Sequence, residues 1–96
     1  MAKSETKEII AGRICDQLGV RTPGFSIGST EPKELFSLIC DSIGLAPSAS
    51  ATKPQMAAFI VESAGEQWFP NFESAGGTVT REGLLAVEKA VNFFIQ

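Results

Sequence analysis

Ile14-Cys15-Asp16-Gln17-Leu18-Gly19-Val20 recurs twenty-five residues later as Ile39-Cys40-Asp41-Ser42-Ile43-Gly44-Leu45. A fainter third copy reads Ile60-Val61-Glu62-Ser63-Ala64-Gly65. Each copy reads as the last two turns of a helix followed by a glycine stop. A glycine in the left-handed C′ position lets the next apolar residue fold back on the last turn, as a Schellman ending prefers. The intervals between copies are unequal, so the period is not that of a solenoid. Convergent helix endings explain the recurrence better than a duplicated helix–loop unit.

Working outward from these stops gives four helices. Ile10, Ile14 and Leu18 fall on one stripe with Ala11 and Cys15 beside it, which predicts a first helix from about Ser4 or Glu5 to Leu18. A loop from Arg21 to Ser29 follows, with Pro23-Gly24 as its turn signal. Phe25 and Ile27 are expected to plug the core from that loop. The second helix is expected from Thr30–Pro32 to Ile43, with Leu35, Phe36, Leu38, Ile39 and Ile43 inward. Proline suits a first turn because its missing N–H has no partner there. After a small-residue linker, Thr52-Lys53-Pro54-Gln55 opens the third helix with a capping box. Met56, Phe59 and Ile60 are expected to face inward.

The segment from Glu66 to Val79 is irregular and holds Trp68, Phe69, Pro70 and Phe72. Burial of Trp68 is expected, because a small core needs every large apolar group. Short strands near Gln67–Phe69 and Thr78–Val79 are candidates for a wing-like hairpin. Thr80 caps the last helix, with Val79 and Leu84 placed as a hydrophobic staple. Leu84, Val87, Val91 and either Phe94 or Ile95 make its inner stripe. The fold class is therefore all-α, a single small four-helix domain over residues 1–96, with the short β-hairpin as an optional addition.

The chain has 96 residues, 44% hydrophobic and 20% charged, a globular composition. It has no histidine, which removes His-based triads, His metal sites and His pH switches. Cys15 and Cys40 are too few for a tetrahedral cysteine site and read as reduced core thiols. A disulfide between them would need adjacent helix ends and an oxidising compartment. The polar N-terminus lacks the apolar run of a signal peptide, and no stretch approaches the ~20 apolar residues of a membrane span. These features predict a cytoplasmic chain with no membrane partner. The apolar end Phe93-Phe94-Ile95 predicts either a longer natural polypeptide or an excised domain.

No catalytic or metal motif stands out, and no cofactor is expected. Gly76-Gly77-Thr78 lacks the Gly-Lys-Ser/Thr ending of a phosphate loop. Asp16, Asp41 and Glu62 occupy equivalent helix ends and read as solvated. Thr30-Glu31-Pro32-Lys33, Thr52-Lys53-Pro54-Gln55 and Thr80-Arg81-Glu82-Gly83 carry more information. Each sets a base in a first turn, where the positive helix dipole repels it. Such starts either are simple caps with solvated charge or could hold phosphate through backbone amides, the threonine hydroxyl and the base.

The stretch Thr52-Lys53-Pro54-Gln55-Met56, Ile60 to Gly65, Trp68, Ser74 to Thr80 and Gly83-Leu84 resembles a small helical module of prokaryotic restriction-type endonucleases and related defence proteins. Its first part is similar to the SAP-type helix–turn–helix. The resemblance covers about half of the chain, with Met56 where leucine is usual. It implies a non-catalytic DNA-binding or positioning role, with Lys53, Thr78, Thr80 and Arg81 as contacts to double-stranded DNA. Lys33 joins them as a base at a helix start. The net charge of −3 weighs against indiscriminate polyanion binding. The alternative expectation is a protein-interaction or dimerisation module using Trp68, Phe72, Phe93 and Phe94. Convergence of Lys33, Lys53 and Arg81 on one face near the glycine loop would favour DNA, and scatter the interaction module.

Overall fold

The computed structural model describes residues 6–25 and 31–96. Four α-helices follow one another: α1 (Lys7–Leu18), α2 (Lys33–Ile43), α3 (Lys53–Ser63) and α4 (Arg81–Ile95). A 3-10 turn, Pro70–Phe72, lies between α3 and α4. The expected first-helix residues Ser4 and Glu5, the loop plug Ile27 and the cap Thr30 lie outside the described residues.

Local chemistry explains the ends. Thr6, Thr52 and Thr80 cap α1, α3 and α4 by accepting the N–H three residues on. At α3 the capping box is complete, with the Gln55 side chain returning to the Thr52 N–H at 2.8 Å. Pro32 stands at the cap of α2 instead of inside its first turn. The three repeated endings are Schellman-type closures. Val20 donates to the Cys15 carbonyl, Leu45 to Cys40 and Glu66 to Val61. Gly19, Gly44 and Gly65 hold φ of 70°, 79° and 83° at the reversal. The Ile-Cys-Asp recurrence is thus the sequence form of one backbone motif used three times.

Helix α4 is the organising element and packs on α1, α2 and α3. Its Leu84, Val87, Ala90 and Val91 meet Ile10 and Ile14 of α1, Phe36 and Ile39 of α2, and Ala57, Ile60 and Val61 of α3 in one buried cluster. Arg13 of α1 grips Glu88 of α4 with both forks of its guanidinium, the Nη2 contact measuring 2.7 Å. Phe25 packs against the core from its loop, as expected.

Three inward assignments change. Leu38 of α2 is only half-buried, and Cys40 joins Leu35, Phe36 and Ile39 on the buried face instead. Phe59 faces outward at 38% exposed, and Ala57 and Val61 take its place. On α3 the buried stripe runs through Met56, Ala57, Ile60 and Val61, and Phe59 lies off it. Trp68 is half-buried, its ring edge-on to Phe72 at 5.2 Å and its indole N–H donated to Glu73 at 2.6 Å.

Among the described residues there is no strand. The anticipated hairpin reduces to one antiparallel bridge, Glu73 with Val79, and residues 67–69 take no part in it. Pro70 begins the 3-10 turn immediately after them, so the ladder cannot start there.

Candidate functional site

The first residue of every helix is a base: Lys7, Lys33, Lys53 and Arg81. Four positive helix ends with a cation on each would repel one another if they met. They are brought to one carboxylate. Glu31, fully buried just before α2, accepts Lys7 Nζ at 2.9 Å and the Val79 N–H at 2.7 Å. Lys53 Nζ lies 3.7 Å from the same carboxylate and donates to the Glu31 carbonyl at 2.8 Å. Lys7 also donates to the Val79 carbonyl at 3.0 Å, so both faces of that peptide are held. The starts of α1, α2, α3 and α4 are all tied to Glu31. An anion does sit at the helix starts, and it is the protein's own.

This arrangement decides what the anticipated phosphate contacts are free to do. Lys53 is committed to Glu31. Arg81 pairs with its neighbour Glu82 at 3.3 Å. The Thr80 hydroxyl accepts the Gly83 N–H and donates to the Asn71 carbonyl. The Thr78 hydroxyl bonds the Ser74 hydroxyl, closing the glycine loop. Lys33 alone of the five is exposed with no ion pair among the described residues.

A second feature lies on the outer side of α4. The loop after α3 folds back so that Phe72 sets its carbonyl against the first turn of α4, where Thr80 N–H donates to it at 2.9 Å. Gly83 makes this approach feasible. A Cβ there would overlap the Phe72 carbonyl oxygen and the Val79 side chain. Between loop and helix runs a groove of about 310 Å³, lined by Phe69, Phe72, Leu85, Ala86, Glu82 and Lys89 among others. Phe69 and Phe72 stand edge to face at 5.4 Å.

No known protein family, curated protein or solved structure matches this chain.

Of the anticipated interaction residues, Phe72 borders the groove and Trp68 backs Phe72. Among the described residues Phe93 is the most exposed large apolar side chain at 61%, beside half-buried Phe94. Phe69 belongs to the aromatic loop that the sequence singles out, whereas Leu85 was not anticipated. Its signal was present, since it sits three residues from Glu82 and four from Lys89 on an otherwise polar face.

The two thiols are buried and free. Desolvation, with a smaller contribution from Asp41, pushes Cys40 up to about 11. Burial also raises Cys15, and a hydrogen bond from Thr22 offsets part of that rise. Neutral thiols are poor nucleophiles. Among the described residues no three His, Cys, Asp or Glu side chains gather as metal ligands. Nor is any described helix long and apolar enough to cross a membrane.

Proposed function

We propose that this chain is a non-catalytic interaction module that docks a protein partner in the groove between the aromatic loop and α4. One observation carries the reading: the groove is bordered by large apolar groups left in water, Phe69 at 45% and Leu85 at 36% exposed. Monomeric proteins seldom leave aromatic side chains gathered around a concavity unless something covers them. Commitment of Lys53 to the buried Glu31 supports the same reading, because it removes one of the bases a phosphate ligand would need. A reducing, cytoplasmic setting suits the two free thiols.

The test is a photo-crosslinking side chain at Leu85, compared with one at Lys33, in cells that make the protein. A discrete protein adduct from position 85 and none from position 33 is the expected result. Equal labelling from both positions, or none from either, would sink the reading.

A second reading is a DNA-binding accessory domain of a restriction-type endonuclease, with catalysis elsewhere in the parent protein. It is favoured by the shared location of Lys7, Lys33, Lys53 and Arg81 at one end of the bundle. Duplex DNA titrated at low salt should then bind with steep salt dependence. Lys33→Glu plus Arg81→Glu should abolish that binding, leaving Lys53 and its ion pair intact. Absence of a shift at high micromolar protein rejects this second reading.

A further inference from the structure

The aromatic wall of the groove is carried by a segment with no core anchor of its own. No residue in 62–78 is buried, and the next buried residue after Val61 is Val79. A segment with so few buried contacts opens locally at low free energy unless something holds its ends. Its second end is held at Val79, whose neighbours take the loop's bonds. Ser74 N–H donates to the Thr78 carbonyl and Thr80 N–H to the Phe72 carbonyl, each at 2.9 Å. The Thr80 hydroxyl donates to the Asn71 carbonyl at 2.8 Å. Glu73, opposite Val79 in the antiparallel bridge, accepts the Trp68 indole N–H. Trp68 and Phe69 both stand edge-on to Phe72. The places of Phe69 and Phe72 at the groove thus follow the place of one backbone residue.

That residue is gripped by a closed ring of bonds. Glu31 Oε2 accepts the Val79 N–H at 2.7 Å, and Lys7 Nζ donates to the Val79 carbonyl at 3.0 Å. Lys7 Nζ then closes the ring on Glu31 Oε1 at 2.9 Å. A carboxylate and an ammonium group bond backbone more strongly than neutral partners do. The ring also accounts for a lysine in the first turn of α1, where the helix dipole repels it. Neither Lys7 nor Glu31 lines the groove, so their effect on it passes through Val79.

We propose that Lys7 and Glu31 are positioning residues of the groove: they fix Val79 and, through it, the aromatic wall that a partner meets. The consequence for binding rests on the interaction reading above, and the grip itself on the bonds to Val79.

The experiment is amide hydrogen exchange of the full chain, followed residue by residue by NMR, in the wild type and in Lys7→Met, Lys7→Arg and Arg13→Met. In Lys7→Met the Ser74, Val79 and Thr80 amides should exchange at least about tenfold faster, the least that loss of a hydrogen bond to a charged group produces. The Ile60 and Val91 amides, deep in α3 and α4, should keep their wild-type rates. Lys7→Arg, which keeps the charge and the donors, should restore slow exchange in the loop. Arg13→Met breaks another ion pair between α1 and α4, with Glu88, without touching Val79. It should not single out the loop amides. Unchanged loop exchange in Lys7→Met, or loop and core amides accelerating together, overturns the proposal. The crosslink from Leu85 reads the consequence for binding: its yield should fall in Lys7→Met and return in Lys7→Arg. An undiminished adduct in Lys7→Met overturns the positioning role and leaves the interaction reading standing. Absence of an adduct from the wild type removes the interaction reading, and the exchange rates of the loop still decide whether Lys7 holds the wall.

Discussion

The Glu31 carboxylate accepts the Val79 backbone N–H at 2.7 Å across forty-eight residues of chain. This bond joins the start of α2 to the start of α4, and the ammonium groups of Lys7 and Lys53 complete the cage. Glu31→Gln keeps the volume and removes the charge, leaving two lysines without their counter-ion. Breaking a buried pair by removing one partner costs about 3–5 kcal/mol. At about 4–8 °C per kcal/mol for a domain of this size, Tm should fall by at least about 12 °C in calorimetry. A loss below about 1 kcal/mol would show that water reaches the pair. Replacing Glu31, Lys7 and Lys53 together by Leu and Met should recover part of the loss.

Gly83 is the point where the aromatic loop touches α4. In Gly83→Ala the new methyl meets the Phe72 carbonyl and Val79 with no flexible tip to move aside. Overpacking of this kind costs about 1–3 kcal/mol. Urea titration should show that loss. Trp68, the chain's one tryptophan, should report loop displacement as a shifted emission maximum, since its ring rests on Phe72.

Two glycines of the helices should respond in opposite directions. Gly44 ends α2 at φ 79°, so Gly44→Ala should cost about 1–2 kcal/mol from backbone strain alone. Gly12 lies inside α1, and a Cβ there meets only Thr22 Oγ1 at 3.9 Å, an ordinary contact. Gly12→Ala should therefore stabilise by about 0.5–1 kcal/mol. Thermal unfolding of the two variants checks both signs.

Cys40 keeps its proton in the folded state up to about pH 11, against 9.0 for an unperturbed thiol. A raised thiol pKa favours folding below pH 9, where both states are protonated and the group's contribution is constant. Above pH 9 the unfolded chain loses its proton first, so that contribution falls as pH rises toward 11. Cys40→Ala should therefore show a shallower alkaline decline in stability than the parent. Thiolate absorbance near 240 nm should rise close to pH 9 in urea and mainly higher in native buffer.

Much of the fold was legible because it is written in neighbouring residues. Thr52 with Gln55, Thr80 with Gly83, and Gly19, Gly44 and Gly65 act within one turn of themselves, so their spacing is their chemistry. Phe59 was misplaced because residues one position apart on a helix point 100° apart, and it stands off the stripe that Met56, Ala57, Ile60 and Val61 bury. The hairpin shrank because Pro70 turns the chain before a ladder can form. Of the anticipated DNA contacts, Lys53 was correctly marked as a base in an unfavourable place. Its compensation, Glu31, stands 22 residues away and could not be paired with it from spacing.

By itself the sequence determined where the first three helices end and where α3 and α4 begin, since caps and glycine stops obey short-range hydrogen bonding and backbone sterics; α1 starts later than the Ser4 or Glu5 expected, at Lys7 behind the Thr6 cap. It also determined that most apolar residues lie inward, since helical periodicity places them. Only the tertiary structure decided which basic helix starts meet an internal carboxylate. That depends on which distant residue arrives beside them, and here Glu31 arrives beside Lys7 and Lys53. The groove was likewise decided in three dimensions, because it exists only where Gly83 lets the Phe72 backbone come down against α4.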